Sequence, residues 1–233
     1  MTIGFPEFVG PALFWEYRSI FAYGLLVNFY VFFWAALLAL ATGLVASLLR
    51  LSARPLLRGV GTFYAEMCRN APEYVLLIWI HFVPPLLLSA LLPVKVSFSP
   101  IVSAIIALGL ASSGYFTETF RAGILSVPKG HVEASRSLGM SGYLTFRFVI
   151  LPQAVRKMLP EALNQFISLF KSTTLVSLIA VPDLMYQVSM VTQEQMRPMP
   201  LYSGAAIIYF VLIFAAAALV RRFSEAWRSR ARV

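Results

Sequence analysis

The stretch GHVEASRSLGMSGYLTFRFVILPQA, residues 130–154, is a charged amphipathic insert in an otherwise largely apolar sequence. It has no helix breaker between Val132 and Gly139, and it mixes charged with apolar side chains, which predicts a short exposed helix ended by glycine. We expect Glu133 in the first turn, where the helix dipole favours an anion, and a positive φ at Gly139. Such a helix offers a binding surface to a soluble partner.

The composition around this insert is that of an integral membrane protein. Of the 233 residues, 59% are hydrophobic and 12% are charged, and the mean hydropathy is +0.78. This balance excludes an ordinary soluble domain. The net charge of +9 does not indicate nucleic-acid binding, because the basic residues lie between apolar spans and form no patch interleaved with aromatics. The N-terminus has no basic region before its first apolar run, so we expect no cleavable signal peptide.

The lengths of the apolar runs predict five transmembrane helices within one domain. Residues 1–20 are predicted to be an interfacial lead-in, residues 86–92 an external connection, and the segment after Asp183 a polar external loop. Most Lys and Arg residues lie on the sides that this topology makes cytoplasmic, which places the N-terminus outside and the C-terminus in the cytoplasm. The predicted spans cover about 21–49, 58–84, 100–124, 158–180 and 201–220, and the cytoplasmic insert covers 126–152.

Several charged and polar side chains fall inside the predicted spans, where they require a partner or a water-filled cavity. In the second span, Glu66 and Arg69 are three residues apart and can pair, with Arg69 near mid-membrane. Glu118 lies near the inner end of the third span. The fourth span carries polar residues at intervals of three and four on one helical face. These are Glu161, Asn164, Ser168, Lys171 and Ser172.

Four segments resemble permease subunits of bacterial ABC importers. The insert is similar to the family's cytoplasmic signature, Glu-Ala-Ala followed by Gly and Ile-x-Leu-Pro. The segments YAEMCRNAP (64–72), GYFTETFRAG (114–123) and LNQFISLFKSTTL (163–175) resemble the polar amino-acid branch, which transports histidine, glutamate, glutamine, arginine and opines. Departures from the family pattern are Ser135 for Ala, Val149 for Ile, Leu163 for Gly, Thr174 for Ser, and Glu73 and Tyr74 where leucines usually follow the proline. The signature positions are Glu133, Ala134, Ser135, Gly139, Val149, Leu151 and Pro152.

The resemblance implies an all-α polytopic membrane protein of the ABC importer type I permease fold, with five transmembrane helices and a cytoplasmic coupling helix, in a bacterial inner membrane. It implies that the insert docks on a dimer of ATP-binding cassette subunits, which hold ATP and Mg²⁺. A periplasmic or lipid-anchored solute-binding protein would deliver the substrate, and a second permease, identical or similar, would complete the pathway. This chain itself has no Gly-rich phosphate loop followed by Lys, so we expect it to be a transport subunit and not an enzyme.

The predicted function is the import of a polar amino acid or a derivative by alternating access. An amino acid needs groups for its carboxylate and its ammonium. Acidic, basic and zwitterionic substrates all remain open, as does the absence of a substrate site from one of two paired permeases. The predicted substrate path comprises Glu66, Arg69, Glu73, Glu118, Asn164, Lys171 and Ser172.

Other interpretations of the same residues stand beside this one. The path residues also fit structural ion pairs, Glu66 with Arg69 and Glu118 with Arg121 or Lys171. The insert also fits an amphipathic helix lying on the membrane surface. A different class of function is a membrane-embedded enzyme or ion channel that uses the intramembrane charges. The only histidines, His81 and His131, are fifty residues apart, and we expect neither a shared metal site nor a catalytic role for them.

Overall fold

A computed structural model of the chain describes residues 11–229, so the start of the predicted lead-in and the last arginine-rich residues lie outside it. The described residues form helices and no strands. The α-helices are α1 (Pro11–Glu16), α2 (Arg18–Arg50), α3 (Pro55–Asn70), α4 (Glu73–Leu91), α5 (Pro100–Leu125), α6 (Lys129–Ser137), α7 (Gly142–Thr145), α8 (Leu151–Ser172), α9 (Leu184–Gln195) and α10 (Pro198–Ser229). A π-helical turn (Phe146–Ile150) precedes α8, and a 3-10 helix (Thr173–Ile179) follows it.

Four of the described helices, α2, α4, α5 and α10, are long and apolar enough to cross a membrane. A fifth crossing is obtained if the bent pair Gly142–Ile179 and Leu184–Gln195, which meet at 45°, counts as one broken span. A hydrocarbon core about 30 Å thick requires roughly 20 apolar helical residues, which these helices supply. The all-α, polytopic character expected from the composition is confirmed.

The second predicted helix, 58–84, differs from the structure at both ends and in the middle. It is broken at Ala71, whose backbone is extended (φ −73°, ψ 129°), because the ring of Pro72 disfavours helical geometry in the residue before it. The following helix α4 then continues through Pro84 and Pro85 to Leu91. The predicted external connection from Leu86 is therefore wrong, since the apolar run continues as helix beyond both prolines.

The fourth predicted helix, 158–180, also differs. Regular α-helix begins earlier, at Leu151, and the chain turns at Ala180, which has a positive φ of 60°. The polar external loop predicted after Asp183 is wrong, because Leu184–Gln195 is the helix α9. Its buried side chains Leu184, Val188 and Val191 recur at helical spacing, a period that the many polar residues of this segment obscured.

The described residues group into two compact units, each made of segments distant in sequence. The first unit comprises the described part of Met1–Ala36 together with Pro72–Gly109 and Ile167–Ala217, and the second comprises Leu37–Ala71, Leu110–Phe166 and the described part of Ala218–Val233. In the first unit, Phe21 packs with the buried stripe of α9 and with Leu201 and Tyr209 of α10. In the second, Ala39 packs with Phe116, Phe120 and Ala162. The single-domain organisation stays a prediction.

Candidate coupling segment and substrate cavity

The predicted insert forms a helix closed by glycine. At the end of α6, the Met140 N–H donates to the Ser135 carbonyl at 3.1 Å and the Gly139 N–H donates to the Arg136 carbonyl at 2.9 Å. This pair of bonds is the Schellman ending, and Gly139 has the φ of 77° that it requires. The glycine ending is confirmed. The first-turn position of Glu133 is wrong, because α6 begins directly after Pro128 and Glu133 is its fifth residue.

Two side-chain hydrogen bonds hold α6 against the elements that follow it. Ser135 is buried, and its Oγ lies 3.0 Å from Thr145 Oγ1 at the end of α7. His131 Nδ1 lies 3.0 Å from Gln153 Oε1 in the first turn of α8. His131 therefore has a partner at the insert, a structural position that its sequence context did not predict. These two hydrogen bonds fix α6 near both of its ends, so the insert is not a free loop.

Apolar side chains are exposed on this polar segment. Leu138 is 82% exposed, Tyr143 66% and Phe148 61%, beside the exposed charges of Glu133 and Arg136. A group of exposed apolar residues rimmed by polar ones marks a contact site. Among the other signature positions, Ala134, Gly139, Leu151 and Pro152 are exposed, Val149 is half-buried and Ser135 is buried.

A cluster of charges surrounds Glu118 on α5. Its carboxylate accepts hydrogen bonds from Arg50 Nη1 at 2.9 Å and from Arg121 Nε at 3.0 Å, and Arg121 Nη2 contacts the second carboxylate oxygen. The pairing of Glu118 with Arg121 follows from their i, i+3 spacing, as predicted. Arg50 at the end of α2 was missed, because 68 residues separate it from Glu118. One carboxylate thus holds two guanidinium groups.

A second charged pair lies where α3 ends. Arg69 Nη2 is 3.4 Å from Glu66 Oε2, as the spacing predicted, and Asn70 Nδ2 donates to the same oxygen at 2.9 Å. The Tyr115 hydroxyl donates to the Arg69 carbonyl at 3.3 Å. A Cβ on Gly114 would lie 2.8 Å from the Arg69 backbone nitrogen, so glycine is needed for α5 to approach α3 here.

These two clusters border an open cavity of about 360 Å³ within the second unit. Its volume is in the range of small-molecule sites. Glu161 and Gln165 of α8 complete the lining, and Gln165 Nε2 donates to Glu161 Oε1 at 2.9 Å. The predicted polar face contained Glu161, but Gln165, one turn further on, was missed. The cavity is lined by Arg69, Tyr115, Glu118, Thr119, Ala122, Glu161 and Gln165.

The remaining predicted path residues have different surroundings. Asn164 and Lys171 are exposed on α8. In the first unit, Ser172 Oγ donates to Glu73 Oε2 at 2.6 Å. The structure therefore joins Ser172 with Glu73 in the first unit. In the second unit it pairs Glu66 with Arg69, and Arg69 lines the cavity together with Glu118.

A buried polar network in the first unit was missed altogether. Asn28 Nδ2 donates to Thr173 Oγ1 and to Asp183 Oδ2, each at 3.1 Å. Asn28 Oδ1 in turn accepts from the Leu184 N–H and the Tyr209 hydroxyl, also at 3.1 Å. Asn28, Thr173 and Asp183 are fully buried. The available sequence signal was Asn28 itself, the one side-chain amide in the uncharged run 21–49.

Among residues 14–224, whose side chains the structure describes, no three His, Cys, Asp or Glu side chains are grouped as metal ligands. His81 Nδ1 instead lies 2.9 Å from Ser103 Oγ.

Apolar helices of spanning length, an exposed insert held by side-chain hydrogen bonds and a mixed-charge cavity are features of a membrane permease. The model of one transport family, the binding-protein-dependent transport system inner membrane component, matches residues 39–229. The chain therefore belongs to this family of inner membrane permease components. Such components are transport subunits, which removes the alternative of a membrane-embedded enzyme.

Named relatives agree with the family match. A probable glutamine ABC transporter permease protein of Bacillus subtilis (strain 168) is 32% identical over 93% of this chain and 97% of its own length. An arginine ABC transporter permease protein of Haemophilus influenzae is 32% identical over 65% of this chain and 68% of its own. The crystal structure of an amino acid ABC transporter with histidines superimposes with a TM-score of 0.84, at 30% identity, over 97% of this chain and 100% of that one. The predicted resemblance and the type I permease fold are confirmed.

Proposed function

We propose that this chain is the permease subunit of an ATP-driven importer that moves a polar amino acid or a derivative across the inner membrane by alternating access. The observation that carries the proposal is the exposed, glycine-closed helix α6, held in place by the Ser135 and His131 hydrogen bonds in a chain of this family. The relatives named for glutamine and for arginine support an amino-acid substrate without choosing between a neutral and a cationic one.

In this proposal α6 is the coupling helix and docks on a dimer of ATP-binding cassette subunits, which bind ATP and Mg²⁺. The exposed Leu138, Tyr143 and Phe148 provide the apolar part of the contact. Because His131 bonds to Gln153 in α8, a displacement of α6 is passed directly to the helix that carries Glu161. A coupling helix has to be held firmly if it is to pass on a displacement. In this proposal the hydrogen bonds of Ser135 and His131 hold α6 in that way.

The substrate pathway in this proposal uses the cavity that Arg69 and Glu118 line, and it includes Glu66 as the partner of Arg69. The other proposed path residues are Asn164, exposed on α8 in the second unit, and, in the first unit, the exposed Lys171 and the bonded pair of Glu73 and Ser172. A second permease, identical or similar, and a periplasmic or lipid-anchored solute-binding protein complete the transporter. The N-terminus is placed outside and the C-terminus in the cytoplasm, following the distribution of Lys and Arg.

The coupling role is tested with bulky substitutions in α6 and its ending. Gly139→Val forces a β-branched residue into a left-handed conformation, and Glu133→Trp alters the docking surface without strain. Both variants should reach the membrane, yet the chain should no longer copurify with its cognate ATPase subunit or support transport.

Gly59→Val is the matched control for Gly139→Val. A Cβ at Gly59 meets nothing within 4 Å, and Gly59 lies in α3, outside the insert. We expect this control to retain copurification and uptake. Unchanged ATPase association and uptake in both insert variants would remove the coupling role from α6.

A further inference from the structure

We propose that the cavity of the second unit takes a substrate of zero net charge, that is, a zwitterionic amino acid with an uncharged side chain. This inference rests on the proposed import function and narrows its substrate class. Two observations support it. The formal charges around the cavity are balanced, and only some of the charged side chains are already paired with a side chain of opposite charge.

The formal charges of the side chains at the cavity sum to zero. Arg69, Glu118 and Glu161 line it. Glu66 pairs with Arg69, and Arg50 and Arg121 pair with Glu118. The lining residues and their direct partners therefore supply three positive and three negative charges. A substrate with a net charge would leave that charge uncompensated, and in surroundings less polar than water the interaction of unit charges a few ångströms apart is strong.

The charged residues of the cavity differ in how far they are already paired, and this difference assigns the ammonium and the carboxylate of a zwitterion to different residues. Glu118 already binds two guanidinium groups and has little acceptor capacity to offer. Among the described residues, the hydrogen bond that Glu161 receives comes from the Gln165 amide, which carries no charge. An ammonium group is the natural neutralising partner for the Glu161 carboxylate.

The carboxylate end fits Arg69. Its contact with Glu66 is long, at 3.4 Å, and uses Nη2, while its side chain is 36% exposed. A guanidinium has five N–H donors arranged to bind a carboxylate through two parallel bonds, so Arg69 retains donors for a substrate. Glu161 and Arg69 thus offer an ammonium site and a carboxylate site in one cavity. The uncharged lining residues that can hydrogen-bond a polar side chain are Tyr115, Thr119 and Gln165.

The test measures equilibrium binding of three radiolabelled probes to the permease assembled with its ATPase subunit in lipid nanodiscs, without the solute-binding protein. The probes are L-glutamine, L-glutamate and L-arginine. Glutamine and glutamate have nearly the same shape, so their comparison isolates charge. We expect the wild-type complex to bind glutamine at least about tenfold more tightly than either charged probe. Equal or tighter binding of glutamate or arginine would overturn the inference.

Charge-neutralising variants then test the proposed ammonium site and the proposed carboxylate site separately. Glu161→Gln makes the cavity net positive and should shift the ratio of glutamine to glutamate dissociation constants at least about tenfold in favour of glutamate. Arg69→Gln makes it net negative and should shift preference toward arginine. Glu194→Gln and Arg197→Gln, exposed positions outside the cavity, are the matched controls and should leave the ratios unchanged.

The result separates this inference from the proposed function. If Glu161→Gln leaves the glutamine to glutamate ratio as it is in the wild type, or if Glu194→Gln shifts it equally, the cavity assignment is wrong. ATP hydrolysis by the same complexes is recorded in parallel. Association with the ATPase subunit together with a wrong charge preference would contradict only the substrate class, whereas loss of that association in the wild-type chain would contradict the import function.

Discussion

The polar network around Asn28 and the charge cluster around Glu118 are both groups of polar side chains in a membrane protein, but they differ in how deeply their members are buried. In the first, Asn28, Thr173 and Asp183 are fully buried. In the second, the Glu118 and Arg121 side chains are each about a third exposed and border an open cavity.

The difference in burial agrees with a structural role for the Asn28 network and with the ligand-binding role that we propose for the Glu118 cavity. Asn28 satisfies the backbone N–H of Leu184 and the carboxylate of Asp183, the residue that caps α9 through the Tyr186 N–H. It therefore fixes the place where a helix is interrupted, and a Cβ on Gly24 would lie only 2.8 Å from the same backbone. Groups at the Glu118 cavity keep exposed surface and spare donors, which a network that serves folding alone does not need.

The largest effect is expected from Asn28→Ala. The substitution leaves Asp183, Tyr209 and the Leu184 N–H without their buried partner, and each orphaned group costs about 1–3 kcal/mol. We expect the free energy of unfolding to fall by about 3–5 kcal/mol, measured by thermal or denaturant unfolding of the solubilised chain. Asn164→Ala, which truncates an exposed Asn, is the control and should unfold like the wild type. Equal stability of the two variants would show that the network is not structural.

A smaller loss of stability and a larger loss of transport are expected from Glu118→Gln. The neutral amide no longer compensates Arg50 and Arg121, but the groups are partly exposed, so we expect a loss of only about 1–2 kcal/mol. Uptake by the assembled transporter should fall severely, because the cavity gains a positive charge. A variant that unfolds as readily as Asn28→Ala would break the contrast between the two regions.

The smallest effect is expected from Ser135→Ala, which probes a buried hydrogen bond in an otherwise exposed segment. Loss of the 3.0 Å contact with Thr145 should cost about 1 kcal/mol and loosen α6. Hydrogen exchange at the amides of α6 and α7 should quicken several-fold. Ser137→Ala removes only an exposed hydroxyl bonded to the Glu133 carbonyl and serves as the control. Identical exchange in both variants would remove the holding role of Ser135.

Features governed by local chemistry were predictable from the sequence. The ends of α2 and α5 lie within a few residues of prediction, because long apolar runs define them. The Gly139 ending and the pairs Glu66–Arg69 and Glu118–Arg121 follow from spacings of a few residues. Pattern reasoning works where both partners stand in the same short window.

The features that the sequence did not predict depend on contacts between residues that are far apart in the sequence. The network partners Asn28 and Asp183 are 155 residues apart, and a sequence pattern gives no sign that they meet. The same holds for Arg50 with Glu118. Helix α9 was predicted as a loop for a related reason. Its buried stripe is specified by Phe21, Leu201 and Tyr209 of other helices, whereas its own exposed polar residues dominate its composition.

The most direct test of the central claim asks which side of the membrane α6 faces. Leu138→Cys, in a chain whose single cysteine Cys68 is replaced by Ser, places a thiol at the most exposed apolar position of the insert. A membrane-impermeant maleimide should label it in inside-out vesicles stripped of the ATPase subunit, and rebinding that subunit should protect it. Labelling of intact spheroplasts from the outside, or labelling unaffected by the ATPase subunit, would contradict the coupling role of this helix.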